Sequence, residues 1–201
     1  VAETPKWDWS VERFCFLDVE TTNVWGSTPA PYLLEAALIV TDGDLQELGR
    51  TSTVIRREPE FTRSIILGAH ERARDMHTEN GLFDELERGN GRRLRDAELL
   101  LIGLVAQCCR GVETPLVWAG ASPGALDRPI LRRDMPRLYG LFHYRTLDVS
   151  ALKLALENWG KLDLERYDSR HRALSDCEAA LDCARRIKTW LGERRHAPTL
   201  L

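Results

Sequence analysis

The stretch Phe14–Thr22, FCFLDVETT, runs from an apolar series into two acids, Asp18 and Glu20. Residues two apart on an extended chain leave the same face. Both carboxylates would therefore stand together at the end of a buried strand, where like charges repel and are costly to take out of water. A hard divalent cation such as Mg2+ or Mn2+ removes that cost, because it prefers carboxylate oxygens. Alone, the pattern is weak, since a strand ending in two solvated acids reads the same. Further acids and a histidine add to it. Asp127 follows a run of small residues, Ala119-Gly120-Ala121-Ser122-Pro123-Gly124, that lets a ligand or a backbone come close. His171 and Asp176 are five apart and so do not share a helical face. A helix beginning near Ala173 would leave His171 in the preceding loop and Asp176 in the first turns, both toward one cleft. Singly, His171 reads as a capping or surface histidine and Asp176 as a first-turn acid favoured by the helix dipole. Together, four carboxylates and an imidazole make a set for binding cations and moving a proton.

The elements that must position this set follow from pattern and punctuation. Phe14–Thr22 reads as a first buried strand, Tyr32–Thr41 as a second and Thr51–Arg56 as a third, returning antiparallel after a turn at Thr41-Asp42-Gly43-Asp44. Trp7 and Trp9 would cover the first strand, and Glu35 reads as a strand-edge or helix-facing acid rather than a ligand. Ser64–Arg74 and Gly81–Arg88 are short helical stretches separated by a polar break at Asp75–Thr78. Asp96–Arg110 is amphipathic with Asp96 near its N-cap. Pro115–Trp118 is a short strand, Asp127 opens a helix to about Asp134, Phe142–Asp148 is the last strand, and Val149–Trp159 is a helix. A loop with Asp163 and Asp168 leads to a strong amphipathic helix over Ala173–Leu191. Asp148 is expected to be structural, at a junction of strand and helix. Hairpin strands followed by alternating helices and strands give an α/β fold with a mixed sheet.

The 201 residues, 43% hydrophobic and 29% charged, suit one domain over 1–201, with a core from about 12 to 192 and loosely ordered ends. No apolar run is long enough to cross a bilayer, and Val1–Ser10 lacks the pattern of a secretory signal. Five cysteines without paired C-x-x-C spacing argue against a disulfide framework or a zinc site and point to a reducing cytoplasm. The net charge of −3 lacks the basic surplus that extended duplex binders usually carry. A short bound segment in a metal-loaded cleft fits that charge better.

The order of these residues resembles the DEDDh branch of the DnaQ-like 3′-to-5′ exonucleases, and within it oligoribonuclease. The resemblance rests on Leu17-Asp18-Val19-Glu20, Met76-His77-Thr78 ahead of Gly81-Leu82, Asp127-Arg128, and Arg133-Asp134-Met135-Pro136. It rests also on Phe142-His143-Tyr144-Arg145-Thr146-Leu147-Asp148-Val149-Ser150 and on His171-Arg172-Ala173-Leu174-Ser175-Asp176, and it covers about Phe14 to Leu191. It implies an RNase H-like, mixed five-stranded sheet flanked by helices, and hydrolysis of short RNA from the 3′ end to 5′-mononucleotides. Phosphodiester hydrolysis needs an activated water and relief of charge on the leaving oxygen, which two divalent ions about 3.5–4 Å apart provide. Asp18, Glu20, Asp127 and Asp176 would hold two Mg2+ or Mn2+ ions, with Asp18 as the bridge and His171 as general base.

By the same resemblance, Val24 takes a base-wedge position and His77 an active-site position. Tyr144, Arg145 and Ser150 would enclose the 5′ phosphate of a short RNA across a homodimer interface, a guanidinium being suited to phosphate. Three departures keep a second reading open, a DNA-directed or sugar-tolerant exonuclease of the same fold. Arg72 stands where the family has an aromatic residue, Pro123 lengthens the loop before Asp127, and Thr21-Thr22 looks like the proofreading enzymes. A non-catalytic nucleic-acid-binding module is a third reading, which loss of any one of the five site residues would have favoured.

Overall fold

The computed structural model describes residues 11–24, 26–28, 30–124, 127–160, 162–164 and 170–195. Trp7, Trp9 and Asp168 lie outside them. A five-stranded sheet runs in the order β3-β2-β1-β4-β5. Its strands are β1 (Arg13–Thr21), β2 (Leu33–Asp42), β3 (Glu47–Val54), β4 (Leu116–Gly120) and β5 (Phe142–Asp148). β2 is antiparallel to both β1 and β3, whereas β4 is parallel to β1 and β5 to β4. The mixed sheet expected from the sequence is present. β3 begins earlier than its apolar residues suggest, at Glu47. The turn is set by Asp42, whose Oδ1 accepts from Asp44 N and Gln46 N at 2.9 and 2.8 Å.

Alternation along β1 decides where the acids point. Cys15, Leu17 and Val19 enter one core cluster with Leu101, Val105, Leu131 and Leu138. These belong to α4 (Leu94–Cys108), α5 (Asp127–Asp134) and α6 (Pro136–Tyr139), which follow α1 (Pro59–Leu67), α2 (Glu71–Glu79) and α3 (Leu82–Glu87). Phe16 enters the opposite cluster with Cys177, Ala180 and Ala184 of the final helix. That helix is α8 (Ala173–Arg195), reached through α7 (Val149–Ala155) and a π-helical turn over Leu156–Gly160. Asp18 and Glu20 are in phase with Phe16, so both face α8. Glu35 of β2 faces the same way, in phase with Ala37 and Ile39.

Several boundaries differ from the sequence reading. Asp75–Thr78 is no break, for α2 runs through it and the interruption falls at Gly68–His70. His70 is the N-cap, its Nδ1 accepting from Arg72 N, while its own N–H donates to Thr22 O and Asn23 Oδ1 at 3.1 and 2.9 Å. The start of α2 is thus stapled to the end of β1, a contact no local pattern announces. α4 begins at Leu94 with Arg93 as its N-cap, ahead of Asp96. α6 is an additional short helix. All five cysteines are free, three of them buried and Cys108 and Cys109 half-buried. No helix among the described residues is long and apolar enough to cross a membrane.

Candidate active site

The carboxyl end of β1, the start of α5 and the start of α8 meet at one end of the sheet. Glu20, His171 and Asp176 each offer a ligand atom there, and these atoms lie within 4.8 Å of one another. Glu20 and Asp127 are buried, and Asp18 and Asp176 are half-buried. Removal from water pushes the Glu20 carboxyl up to about 8, with Asp176, Glu35 and Asp127 adding to it. Burial likewise pushes Asp127 up to about 8. Asp18 is raised well above its usual range, first by desolvation and then by the charges of Asp127, Glu20, Asp176 and Glu35. Acids buried together, with Asp18 and Glu20 raised further by the charges of their neighbours, are short of positive charge. Their oxygens are the donors a hard divalent cation takes, so the set fits Mg2+ or Mn2+.

His171 sits two residues before α8 with φ +50°, a left-handed backbone that costs a non-glycine residue about 1–2 kcal/mol. Its neighbours are tied down. Arg172 grips Glu35 through Nε and Nη2 at 3.0 and 2.9 Å and Glu85 through Nη1 at 2.9 Å. Glu35 Oε2 also accepts from Ala173 N at 3.0 Å, capping α8 from β2. Glu35 is therefore a helix-facing structural acid, as expected. Asp148 is also structural, its Oδ1 accepting from Ala151 N at the head of α7 and from Ser122 N.

The residues expected to touch substrate separate in space. Val24 is exposed in the loop after β1, where Ser27 Oγ holds its carbonyl at 2.6 Å. His77 has no exposed surface. Its Nε2 lies 3.1 Å from Thr21 O and 3.8 Å from Glu20 Oε2, its ring meets Phe83 edge-on, and burial lowers its pKa. It backs Glu20 instead of lining the open cleft. Tyr144 and Arg145 are exposed on β5, the sheet's edge, with β4 between them and β1. The His143 and Tyr144 rings lie 4.3 Å apart and the Arg145 guanidinium is 4.7 Å from the Tyr144 ring. Ser150 is half-buried in the first turn of α7. Beside Tyr144 lies a cavity of about 670 Å³ lined by Arg128, Arg132, Arg133 and Tyr139. Arg128 is fixed by donating to the carbonyls of Tyr144 and His143 at 2.7 and 3.1 Å. Interleaved arginine and tyrosine of this kind suit single-stranded nucleic acid.

Reading the sequence alone misses Asn80 and Glu85, and it names Arg128 only beside Asp127, without a role. Asn80 carries no motif, and the carbonyls its Nδ2 donates to lie 90 and 91 residues away.

No family model matches the sequence. Over 174 residues it is 34% identical to the oligoribonuclease of Streptomyces coelicolor, covering 85% of this chain and 82% of that one. It is 33% identical over 169 residues to the oligoribonuclease of Corynebacterium diphtheriae, with 82% and 76% covered. Among solved structures it is similar in fold to the nuclease domain of 3′hExo, a DEDDh family member, bound to rAMP. The TM-score is 0.59 at 12% identity, over 90% of this chain and 94% of that one. It also matches E. coli exonuclease I in complex with a 5cy-dT13 oligonucleotide, with a TM-score of 0.59 at 14% identity. The match covers 92% of this chain but 42% of that longer one.

Proposed function

Given that the chain belongs to the oligoribonuclease family and is a 3′-to-5′ exonuclease, we propose that it trims short RNAs to 5′-mononucleotides, with Asp18, Glu20, Asp127 and Asp176 holding divalent cations. The observation that carries this reading is the gathering of Glu20, His171 and Asp176 with ligand atoms within 4.8 Å of one another, beside an Asp18 raised by burial and by the charges of Asp127, Glu20 and Asp176. When bound, two Mg2+ or Mn2+ ions would relieve that crowding and stabilise charge on the phosphodiester under attack. Asp18 lies among the other three acids and is assigned as the shared ligand. His171 accepts the proton of the attacking water, its imidazole standing within reach of Glu20 and Asp176.

Val24, exposed beside the cleft, packs against the 3′-terminal base. His77 acts through Glu20 and the Thr21 carbonyl, since burial keeps it from the substrate. Tyr144, Arg145 and Ser150 hold the 5′ phosphate of a short substrate in the cleft of a partner copy, so the enzyme works as a homodimer. Their place toward the sheet's edge, across β4 from the acids, supports a role outside their own chain's cleft. The protein acts in the cytoplasm, where its five free thiols persist.

A time course with 5′-labelled RNA of two, seven and about twenty nucleotides, and matched DNA, in Mg2+ or Mn2+ tests the reading. Rapid hydrolysis of the shortest RNAs is expected, with loss of activity in chelator. Asp127→Ala should lower kcat by about 10³-fold or more while the chain still folds. Equal turnover by this variant would remove Asp127 from the site, and preferential trimming of DNA would replace RNA as the substrate.

A further inference from the structure

The general base assigned above stands on an unfavourable backbone, and the groups that hold it there come from elsewhere in the fold. Asn80, the residue closing α2, donates through Nδ2 to the carbonyl of His171 and, at 3.4 Å, to that of Arg170. Its Oδ1 accepts from Leu82 N at 3.0 Å, so the same side chain braces the turn into α3. On the other side of His171, Arg172 is clamped between Glu35 of β2 and Glu85 of α3, and Ala173 N is bound by Glu35. His171 is therefore pinned at its own carbonyl and at the residues before and after it. A left-handed residue released from such contacts relaxes toward the right-handed region. That change would redirect the Cα–Cβ bond and carry the imidazole away from Glu20 and Asp176.

We propose that Asn80, together with the Glu35–Arg172–Glu85 ion pairs, positions the imidazole of His171 for proton transfer. This rests on His171 being the base. None of these residues touches the reacting atoms, so they are positioning residues. α2 and α3 thereby serve both halves of the site, Glu20 through His77 and His171 through Asn80 and Glu85.

Asn80→Asp tests the proposal in the full chain, because a carboxylate still accepts from Leu82 N but cannot donate to the 170 and 171 carbonyls. Asn80→Ala is the uncharged companion. Both should lower kcat on a short RNA by about tenfold to a hundredfold. KM and Mn2+ affinity should stay within about twofold, since the cation ligands and the phosphate-holding residues are untouched. The decisive measurement repeats Asn80→Asp in a His171→Ala background under single-turnover conditions. If Asn80 acts through His171, the second substitution costs nothing further. A multiplicative loss in that background, a loss confined to KM, or an unchanged kcat would overturn the positioning role. A His171→Ala chain as fast as the wild type would instead overturn the base assignment, and this inference with it.

Discussion

Glu20 and Asp127 carry carboxyl groups whose folded-state values, about 8, lie far above those of free acids. Asp18 is shifted in the same direction. The folded chain therefore binds more protons than the unfolded chain between about pH 4 and 8, and it loses stability as pH rises through that window. In chelator, Tm should fall by several degrees between pH 5 and 8, and Mn2+ should reverse the fall at the upper end. A Tm that is flat with pH in chelator would mean that the acids are not crowded. At this scale the acids and His171, which the fold brings together, could be singled out because each stands at a recognisable boundary, the end of an apolar strand or the start of a helix. Glu35 and Arg172, 137 residues apart, were not legible as a pair, because nothing in either local sequence names the other.

The helices show where local pattern stops being informative. Pro136 at the first position of α6 suits a helix start, but four residues cannot sustain a helix by themselves. α6 exists because the buried carboxylate of Glu98, on α4, accepts from Arg137 N and Leu138 N at 2.7 and 3.1 Å. Glu98→Ala should leave these buried donors without an acceptor and reduce unfolding stability by about 1–3 kcal/mol. Denaturant titration measures this, and kcat should change little, since α6 holds neither the proposed cation ligands nor the proposed base. A variant as stable as the wild type would show that water replaces Glu98. The misplaced break in α2 has a similar origin. Polar residues Asp75–Thr78 looked like an interruption, yet the helix breaks at His70, where the chain is bonded to the end of β1. His77 consequently lies inside a helix and against Glu20.

At the scale of the whole molecule, the mixed α/β sheet was legible from the alternation of strand and helix patterns, whereas the strand order was not, because β1 pairs with β4, a partner far along the chain. Charge is instructive as well. The chain is net acidic at −3, while arginines gather in the cavity beside Tyr144. Such a molecule engages few phosphates. For a seven-nucleotide RNA, the logarithm of affinity should fall with log salt at a slope near −1.4, the value for about two phosphates on a single strand. A much steeper slope would mean that the strand is tracked along an extended basic surface. The site also has an order in time. Its first acids lie on β1, yet His171 and Asp176 arrive only with α8, the last element of the described chain. Synthesis runs from β1 toward α8, so the growing polypeptide acquires three of the four proposed cation ligands long before the proposed base. On the proposed assignment, a nuclease translated beside messenger RNA would stay inert on the ribosome until α8 has emerged and docked.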